Sequence, residues 1–326
     1  MKLVCYGASV TAQQSDTGYF HNLCSSRLNQ RFDVIERVTF NASLFDYAGY
    51  GFIGDVLAQT PDICLIDWLT PTLDRFSNYK IILLNKTLLD QNCLPVWVFF
   101  PRTDNFRNLP EAYEQVKQEA KRFKAPFIDL LDFLPDFSTN ASEYLRDAVH
   151  TTKAGAEVYA RCIVEQIENI HLKQHLLAAK NSEGYRSARE LPFLVPSLLD
   201  IGKTISSDTS VEITFDWAGG FLEIFLDTTV GPHVPNLNFA VYRNGVSEFD
   251  EKLNPADRWC YYQRRMAVAT LRRELPQGLY KVIISKGEGN PFDLKQTDKP
   301  IEEFVPDESR YLEIKRLAIN ARATVA

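Results

Sequence analysis

The 326-residue sequence lacks the features that mark membrane, nucleic-acid-binding or disulfide-rich proteins. No apolar run approaches the roughly 18 residues that a membrane-spanning helix needs. The net charge is −6, with 36 Lys and Arg against 42 Asp and Glu, whereas nucleic acid binding depends on clustered positive charge. The 6 cysteines are far apart and form no C-x-x-C pair, which favours reduced thiols over disulfides or a zinc site. We therefore expect neither nucleic acid nor a membrane as a partner.

Signals for export and for metal binding are also missing. The first apolar run begins at Leu3, which leaves no room for a cleavable leader, so we predict a cytoplasmic location. Only His171 and His175, among the 5 histidines, have a spacing that suits metal ligands on a helix. Lys173 lies between them and no cysteine is near, so a solvated helix face is the better interpretation. No metal or cofactor is expected.

Short apolar runs alternate with helical periodicity through residues 1–178. Such alternation is typical of a parallel sheet that helices cover on both faces. The run 94–100 is too apolar for a half-exposed strand, and residues 110–123 gather their charges on one side of a helix. The sequence thus predicts an α/β fold, a three-layer α/β/α domain. Its predicted strands are 3–6, 34–39, 63–66, 94–100 and 126–131, and its predicted helices are 18–28, 79–90, 110–123 and 153–172.

The pattern changes after this domain. Residues 179–195 are polar and without periodicity, which indicates a linker. From residue 196 onward, short alternating runs are separated by turn signals such as Asn244-Gly245. This pattern predicts an antiparallel β-sandwich, jelly-roll-like in character, as an accessory domain over 196–326.

Two short segments carry the residue types of nucleophilic catalysis. Gly7-Ala8-Ser9 follows the first predicted strand, so its serine lies at the carboxyl end of a strand, where α/β sheets place their ligands. Asp147 and His150 are three residues apart, just before the last helix of the domain. A carboxylate at this spacing can orient one imidazole nitrogen while the other faces a serine hydroxyl.

Together these segments resemble the SGNH, or GDSL, hydrolases over about residues 1–175. That family has a G-D-S-x-T block after strand one and a D-x-x-H near the end of the domain. Here G-A-S-V-T supplies Ser9, with Ala8 in place of the usual aspartate, and Gly155 follows the D-x-x-H as in the family. The resemblance implies that Ser9 is the nucleophile, His150 the general base and Asp147 its orienter.

A glycine-rich stretch, D-Y-A-G-Y-G-F-I-G-D over 46–55, indicates either a flexible loop or a backbone N–H aimed at a developing oxyanion. The resemblance implies that the amides of Ser9 and Gly51 form the oxyanion hole, with Gly49 as the alternative glycine. In the family a third block also supplies an asparagine donor, and its pattern begins here at Pro61-Asp62. Pro71 stands where that asparagine would be, and proline has neither a side-chain donor nor an N–H.

Several neighbours could replace the missing donor. We predict Thr70 in this role, with Thr72 or the Trp68 indole as alternatives. Trp68 is also a candidate wall of the substrate site. Arg102 follows the strand at 94–100 and is a candidate partner for an anionic group on the substrate, although a solvated loop also explains it.

The resemblance implies a serine esterase that removes a small acyl group, acetyl above all, from a carbohydrate without a cofactor. The carbohydrate follows from analogy with family members that carry an appended β-sandwich. An acyl-CoA-dependent O-acyltransferase with the same triad is the first alternative. The second is a degenerate SGNH domain that binds glycans without catalysis, which Ala8 and Pro71 favour and the intact set of Ser9, Asp147 and His150 opposes.

Overall fold

The structure is a computed structural model that describes residues 1–41, 43–71, 75–104, 106–107, 109–191, 195–231, 234–254, 264–287, 312–321 and 323–325. The chain divides into two compact units, Met1–Phe193 and Leu194–Ala326, which are described separately below. No helix in these ranges is long and apolar enough to cross a membrane.

The first unit alternates strands and helices, as predicted. Its strands are β1 (Lys2–Gly7), β2 (Val34–Thr39), β3 (Ile63–Asp67), β4 (Leu94–Phe99) and β5 (Phe127–Asp129). Its helices are α1 (Ser9–Ala12), α2 (Tyr19–Cys24), α3 (Ile53–Ala58), α4 (Asn78–Asp90), α5 (Glu111–Phe123), α6 (Phe137–Tyr144), α7 (Lys153–Glu168), α8 (Leu172–Lys180) and α9 (Glu183–Ala188).

The five strands pair in parallel in the order β2–β1–β3–β4–β5. All six residues of β4 are buried, which explains its uninterrupted apolar sequence. On one face of the sheet, Val96 and Val98 share a core with Tyr159 and Ile163 of α7. On the other face Trp97 donates a hydrogen bond to Asn85 of α4, at 2.9 Å between Nε1 and Oδ1. The predicted three-layer α/β/α fold is confirmed.

The strand order gives the pair β1 and β3 a special place in the sheet. The chain leaves β1 for β2 at one edge and then forms β3 on the opposite side of β1. Consecutive connections therefore diverge between β1 and β3, and in open α/β sheets a crevice for ligands opens at the carboxyl ends of such a pair. Ser9 follows β1 directly, so the fold puts the predicted nucleophile at this crevice.

The second unit is an antiparallel β-sandwich, as predicted. Its strands are β6 (Ser197–Ile205), β7 (Val211–Trp217), β8 (Gly220–Val230), β9 (Leu237–Arg243), β10 (Val246–Leu253), β11 (Arg264–Leu275), β12 (Gly278–Lys286), β13 (Leu312–Ile319) and β14 (Ala323–Val325). In the described residues they form two sheets, ordered β10–β9–β12–β7–β14 and β11–β8–β13–β6. Val211, Ile213 and Phe215 alternate with half-buried residues along β7, and their side chains enter the core between the sheets.

The boundary between the units differs from the one expected from the sequence. Residues 179–195 were expected to form a linker, but they include α9, and the first unit extends to Phe193 rather than to residue 178. The Ser182 hydroxyl accepts a hydrogen bond from the Tyr185 amide at 3.1 Å and so caps α9. Gly184 lies directly against the Phe123 ring of α5, which joins α9 to the first unit. A six-residue helix is too short to show periodicity in sequence.

Two predicted helices are also shorter in the structure. The helix expected over 18–28 ends at Cys24. The Ser26 hydroxyl donates a hydrogen bond to the Leu23 carbonyl and accepts one from the Leu28 amide, and a short 3₁₀ turn begins there. The helix expected over 153–172 ends at Glu168, and α8 begins at Leu172.

The packing at the start of α7 predicts that a substitution of Gly155 lowers the stability of the protein. A Cβ on Gly155 would lie 1.9 Å from the Tyr144 carbonyl oxygen, so α7 can begin beside this segment only with glycine there. We expect Gly155→Ala to lower the free energy of unfolding by about 3 kcal/mol, the upper range for overpacking. Urea unfolding followed by circular dichroism measures the loss. The control is Ala154→Gly at the exposed neighbouring position, which should cost at most about 1 kcal/mol. Equal losses in the two variants would contradict the close packing.

Candidate active site

The turn after β1 depends on the absence of a side chain at Gly7. A Cβ there would lie 2.6 Å from both the Asp67 carbonyl oxygen and the Thr11 hydroxyl. Gly7 pairs in register with Asp67 of β3, so β1 and β3 are adjacent up to the point where the chain turns. The turn therefore starts directly beside the end of β3, and Ser9 is the first residue of α1.

Helix α1 has only four residues, and side chains from other elements hold it. The Thr11 hydroxyl donates to Asp67 Oδ2 at 2.8 Å and also contacts the Tyr19 hydroxyl at 2.9 Å. Arg37 of β2 donates to the carbonyls that end the helix, at 3.0 and 2.9 Å. Such a short helix is unstable by itself, so these contacts set the position of Ser9.

The structure brings the three predicted triad residues together. His150 Nε2 lies 3.1 Å from Ser9 Oγ, and His150 Nδ1 lies 2.8 Å from Asp147 Oδ2. Serine and histidine are separated by 141 residues, so the fold rather than local sequence creates this contact. The two ring nitrogens thus face a nucleophile on one side and a carboxylate on the other, as general-base catalysis requires.

Asp147 also shapes the turn that carries His150. Its Oδ1 accepts the amides of Val149 and His150, at 2.9 and 2.8 Å. Partial burial raises the pKa of Asp147, but these amides and the His150 ring outweigh that effect and hold the pKa below its usual value. The carboxylate therefore stays ionised and can stabilise a positive charge on the imidazole.

The glycine-rich stretch forms helical turns after β2. Gly49 ends a π-helical turn, Phe45–Gly49, and a Cβ there would meet the rings of Phe45 and Trp68 at 2.7 and 2.9 Å. The need for glycine at this position is thus explained by packing. Gly51 is buried two residues further on. Its amide, with the Ser9 amide at the start of α1, remains the predicted oxyanion hole.

Thr70 does not match its predicted role as an oxyanion donor. Its hydroxyl donates to Asp67 Oδ1, and its amide also bonds to the Asp67 side chain. Asp67 ends β3 three residues before Thr70, so its carboxylate can accept hydrogen bonds from the turn that follows. Both Thr70 donors therefore point into the protein. Thr72, the alternative, lies outside the described residues.

Trp68 and Arg102 also have structural contacts in place of the predicted ones. Trp68 is 0% exposed and packs edge-on against Tyr6, with 5.3 Å between ring centroids, so it is not a wall of an open site. Arg102 is largely buried and pairs with Asp104 through Nε and Nη2, at 2.7 and 2.6 Å. Its Nη1 donates to the Thr70 carbonyl at 3.1 Å. This side chain therefore stabilises residues 68–71, which are called the loop after β3 below.

Asp67, which was not predicted from the sequence as a site residue, is a carboxylate with 0% exposure beneath the Ser9 turn. Burial raises its pKa to about 7, although the hydrogen bonds from Thr70 and Thr11 act in the opposite direction. One signal was available: an acidic residue that interrupts the apolar run I-C-L-I-D-W-L. A carboxylate in such a run is either at a turn or buried with partners.

Comparisons with known proteins agree with this architecture. No protein-family model and no curated protein matches the sequence. Among solved structures, the chain is similar to a two-domain esterase active on acetylated mannans, with a TM-score of 0.65 and 12% identity, over 99% of this chain and 92% of that one. The structure of that esterase co-crystallised with mannopentaose gives the same values. An acetyl xylan esterase covers 51% of this chain and 100% of its own, at 18% identity and a TM-score of 0.43. The similarity to the two-domain esterase establishes the fold.

The site geometry predicts an activated serine. We expect a fluorophosphonate probe to label Ser9, because His150 can accept the hydroxyl proton as the phosphorus is attacked. His150→Ala should slow labelling by about 10²–10⁴-fold, the usual contribution of a general base, and Ser9→Ala should abolish it. Labelling is followed by gel fluorescence and peptide mass mapping. Ser25→Ala, at an exposed serine after α2, is the control and should label like the wild type. Labelling that persists in Ser9→Ala would contradict the assignment.

The burial of Asp67 predicts how stability depends on pH. Its folded pKa, about 7, is above the usual aspartate value of 3.8, so the folded state binds the proton more tightly. The resulting stabilisation is complete below pH 3.8 and is lost as the pH rises to 7, by about 4 kcal/mol. Asp67→Asn lacks this ionisation. The free energy of unfolding of the wild type minus that of the variant, measured by urea titration from pH 4 to 8, should therefore fall with pH. A constant difference would show that Asp67 ionises as an ordinary aspartate.

Proposed function

We propose that the protein is a serine esterase that releases a small acyl group, acetyl above all, from a carbohydrate. The observation that carries this proposal is the contact chain from Asp147 through His150 to Ser9. It contains the nucleophile, base and orienter of ester cleavage, and the ionised Asp147 supplies the charge that an imidazolium needs.

In the proposed reaction, His150 Nε2 accepts the Ser9 proton while Ser9 Oγ attacks the ester carbonyl. The negative charge on the carbonyl oxygen is stabilised by the amides of Ser9 and Gly51. The bond between the acyl carbon and the sugar oxygen then breaks as His150 protonates this oxygen, and an acetyl ester on Ser9 remains. Water, deprotonated by His150, attacks this ester, and acetate leaves as Ser9 regains its proton. Asp147 stays ionised throughout.

The carbohydrate part of the proposal is supported by fold. Both units of the chain are covered by the similarity to a two-domain esterase active on acetylated mannans. A similarity at 12% identity shows a shared fold and not a shared substrate. Acetylated mannan is therefore the first substrate to test.

Transfer of the acyl group to a glycan hydroxyl, with acyl-CoA as donor, is the rival outcome for the same triad. The two reactions share the acyl-enzyme and differ only in the nucleophile that resolves it. A glycan acceptor that speeds acetyl-CoA consumption and becomes acetylated would assign the transferase. Acetate release that is indifferent to the acceptor would assign the esterase.

The test is acetate release from O-acetylated mannan by the full chain. Ser9→Ala should lower kcat by about 10⁴-fold or more, because it removes the nucleophile. Asp147→Asn should lower kcat by about 10²–10⁴-fold, because an amide can still accept the turn amides but cannot stabilise the imidazolium. The control Ser25→Ala should keep the wild-type rate.

Two results would contradict the proposal. One is acetate release in which Ser9→Ala equals the wild type. The other is no release from mannan, xylan or p-nitrophenyl acetate while the wild type still binds glycans, which would favour the non-catalytic binding module.

A further inference from the structure

Asp67 connects the segment that carries Ser9 to the loop after β3. Its Oδ2 accepts the Thr11 hydroxyl of α1 at 2.8 Å, two residues from the nucleophile. Its Oδ1 accepts the Thr70 hydroxyl, and the Thr70 amide adds a further bond. Both threonines are buried, so water does not compete for these contacts. One carboxylate therefore fixes two chain segments relative to each other.

The connection continues around the edge of the sheet. Arg102, after β4, donates to the Thr70 carbonyl at 3.1 Å. The next residue, Thr103, donates its amide to the Ala148 carbonyl at 3.1 Å, inside the turn that carries His150. Hydrogen bonds and short stretches of backbone thus connect α1, through Asp67, Thr70 and Arg102, with the turn that carries His150.

We propose that Asp67 is a positioning residue for the ester cleavage, one that holds Ser9 and the loop after β3 in their reactive arrangement. The proposal rests on the proposed function and adds a residue outside the triad to it. Asp67 does not touch the reacting atoms. Its effect passes through Thr11 to the nucleophile helix and through Thr70 to the loop.

The protonation state of the carboxylate matters for this role. An ionised carboxylate only accepts hydrogen bonds, so both hydroxyls and the Thr70 amide can donate to it at once. A protonated carboxyl donates from one oxygen, so the hydroxyl that faces this oxygen accepts the proton and no longer donates to Asp67. Among the described residues, Cys5 of β1, Tyr19 of α2 and Tyr159 of α7 interact electrostatically with Asp67, and burial raises the pKa of each, so all three are protonated near neutral pH. The reactive arrangement therefore belongs to the ionised form.

A purely structural role would give a different result. It would reduce the amount of folded protein, or its stability, and leave the rate per folded molecule unchanged. Asn85→Ala supplies the matched control, because it removes a buried hydrogen bond to Trp97 in the same unit, away from the triad. This variant should lose stability and keep the wild-type kcat.

The experiment compares Asp67→Asn with the wild type in hydrolysis of p-nitrophenyl acetate by the full chain. We expect kcat to fall about 10–100-fold with KM within threefold of the wild type, because a small misplacement of the nucleophile acts on the chemical step. Fluorophosphonate labelling of Ser9 should slow by a similar factor. In the wild type the acid limb of the pH profile of kcat should contain the ionisation of Asp67, and in the variant this ionisation should be missing.

Two threonine variants test the same connection if Asp67→Asn does not fold. Thr11→Val and Thr70→Val each remove one hydroxyl and should each lower kcat, with less than additive loss in the double variant because both act through Asp67. Thr70→Ser keeps the hydroxyl and should restore the wild-type rate.

The outcomes distinguish a failure of the positioning role of Asp67 from a failure of the proposed esterase activity. A folded Asp67→Asn with the wild-type kcat and an unchanged acid limb of the pH profile would overturn the positioning role, as would losses of kcat no greater than in Asn85→Ala. A wild type without Ser9-dependent turnover would refute the esterase instead. In that case the labelling rates of Ser9 in the same variants would still decide whether Asp67 positions it.

Discussion

The close pairing of β1 and β3 at Gly7 is the constraint on which the rest of the site depends. A side chain at this position would collide with the backbone of Asp67, so the turn to Ser9 can begin only where glycine allows it. The strand order 2–1–3–4–5 makes the same pair of strands the point where the connections diverge. Sheet topology and one missing side chain thus place a serine hydroxyl at the mouth of the crevice.

The contacts around this serine divide into two kinds. His150 and Asp147 are partly exposed, and in the proposed reaction only the imidazole changes its charge while Asp147 stays ionised. Asp67, by contrast, is fully buried and holds the segments that carry the nucleophile and the loop after β3. Burial raises the pKa of Asp67 to about 7, because the hydrogen bonds from Thr11 and Thr70 only partly offset the loss of water around the charge. The site therefore combines a partly exposed histidine–aspartate pair with a buried carboxylate at the end of β3.

The sequence predicts the parts of this arrangement that have local signals. Ser9 follows an apolar strand and a glycine, and Asp147 and His150 have a spacing that a single turn can satisfy. The side-chain directions of Trp68 and Arg102 have no such signal, because position at the carboxyl edge of a sheet does not say whether a residue faces the crevice or the interior. Trp68 turns inward onto Tyr6, and Arg102 is drawn to a neighbouring carboxylate. The contact of Thr11 with Asp67 joins residues 56 apart, so only the folded chain reveals it.

In the proposed esterase reaction, Ser9 carries the acyl group during turnover. Acid quenching of the wild-type protein within the first turnovers on p-nitrophenyl acetate, followed by peptide mass mapping, tests it most directly. We expect an acetyl group on the peptide that contains Ser9, at an occupancy that rises to a steady level and falls once the substrate is exhausted. An acetyl group that accumulates on another residue, or turnover with no acetylated peptide, would contradict it.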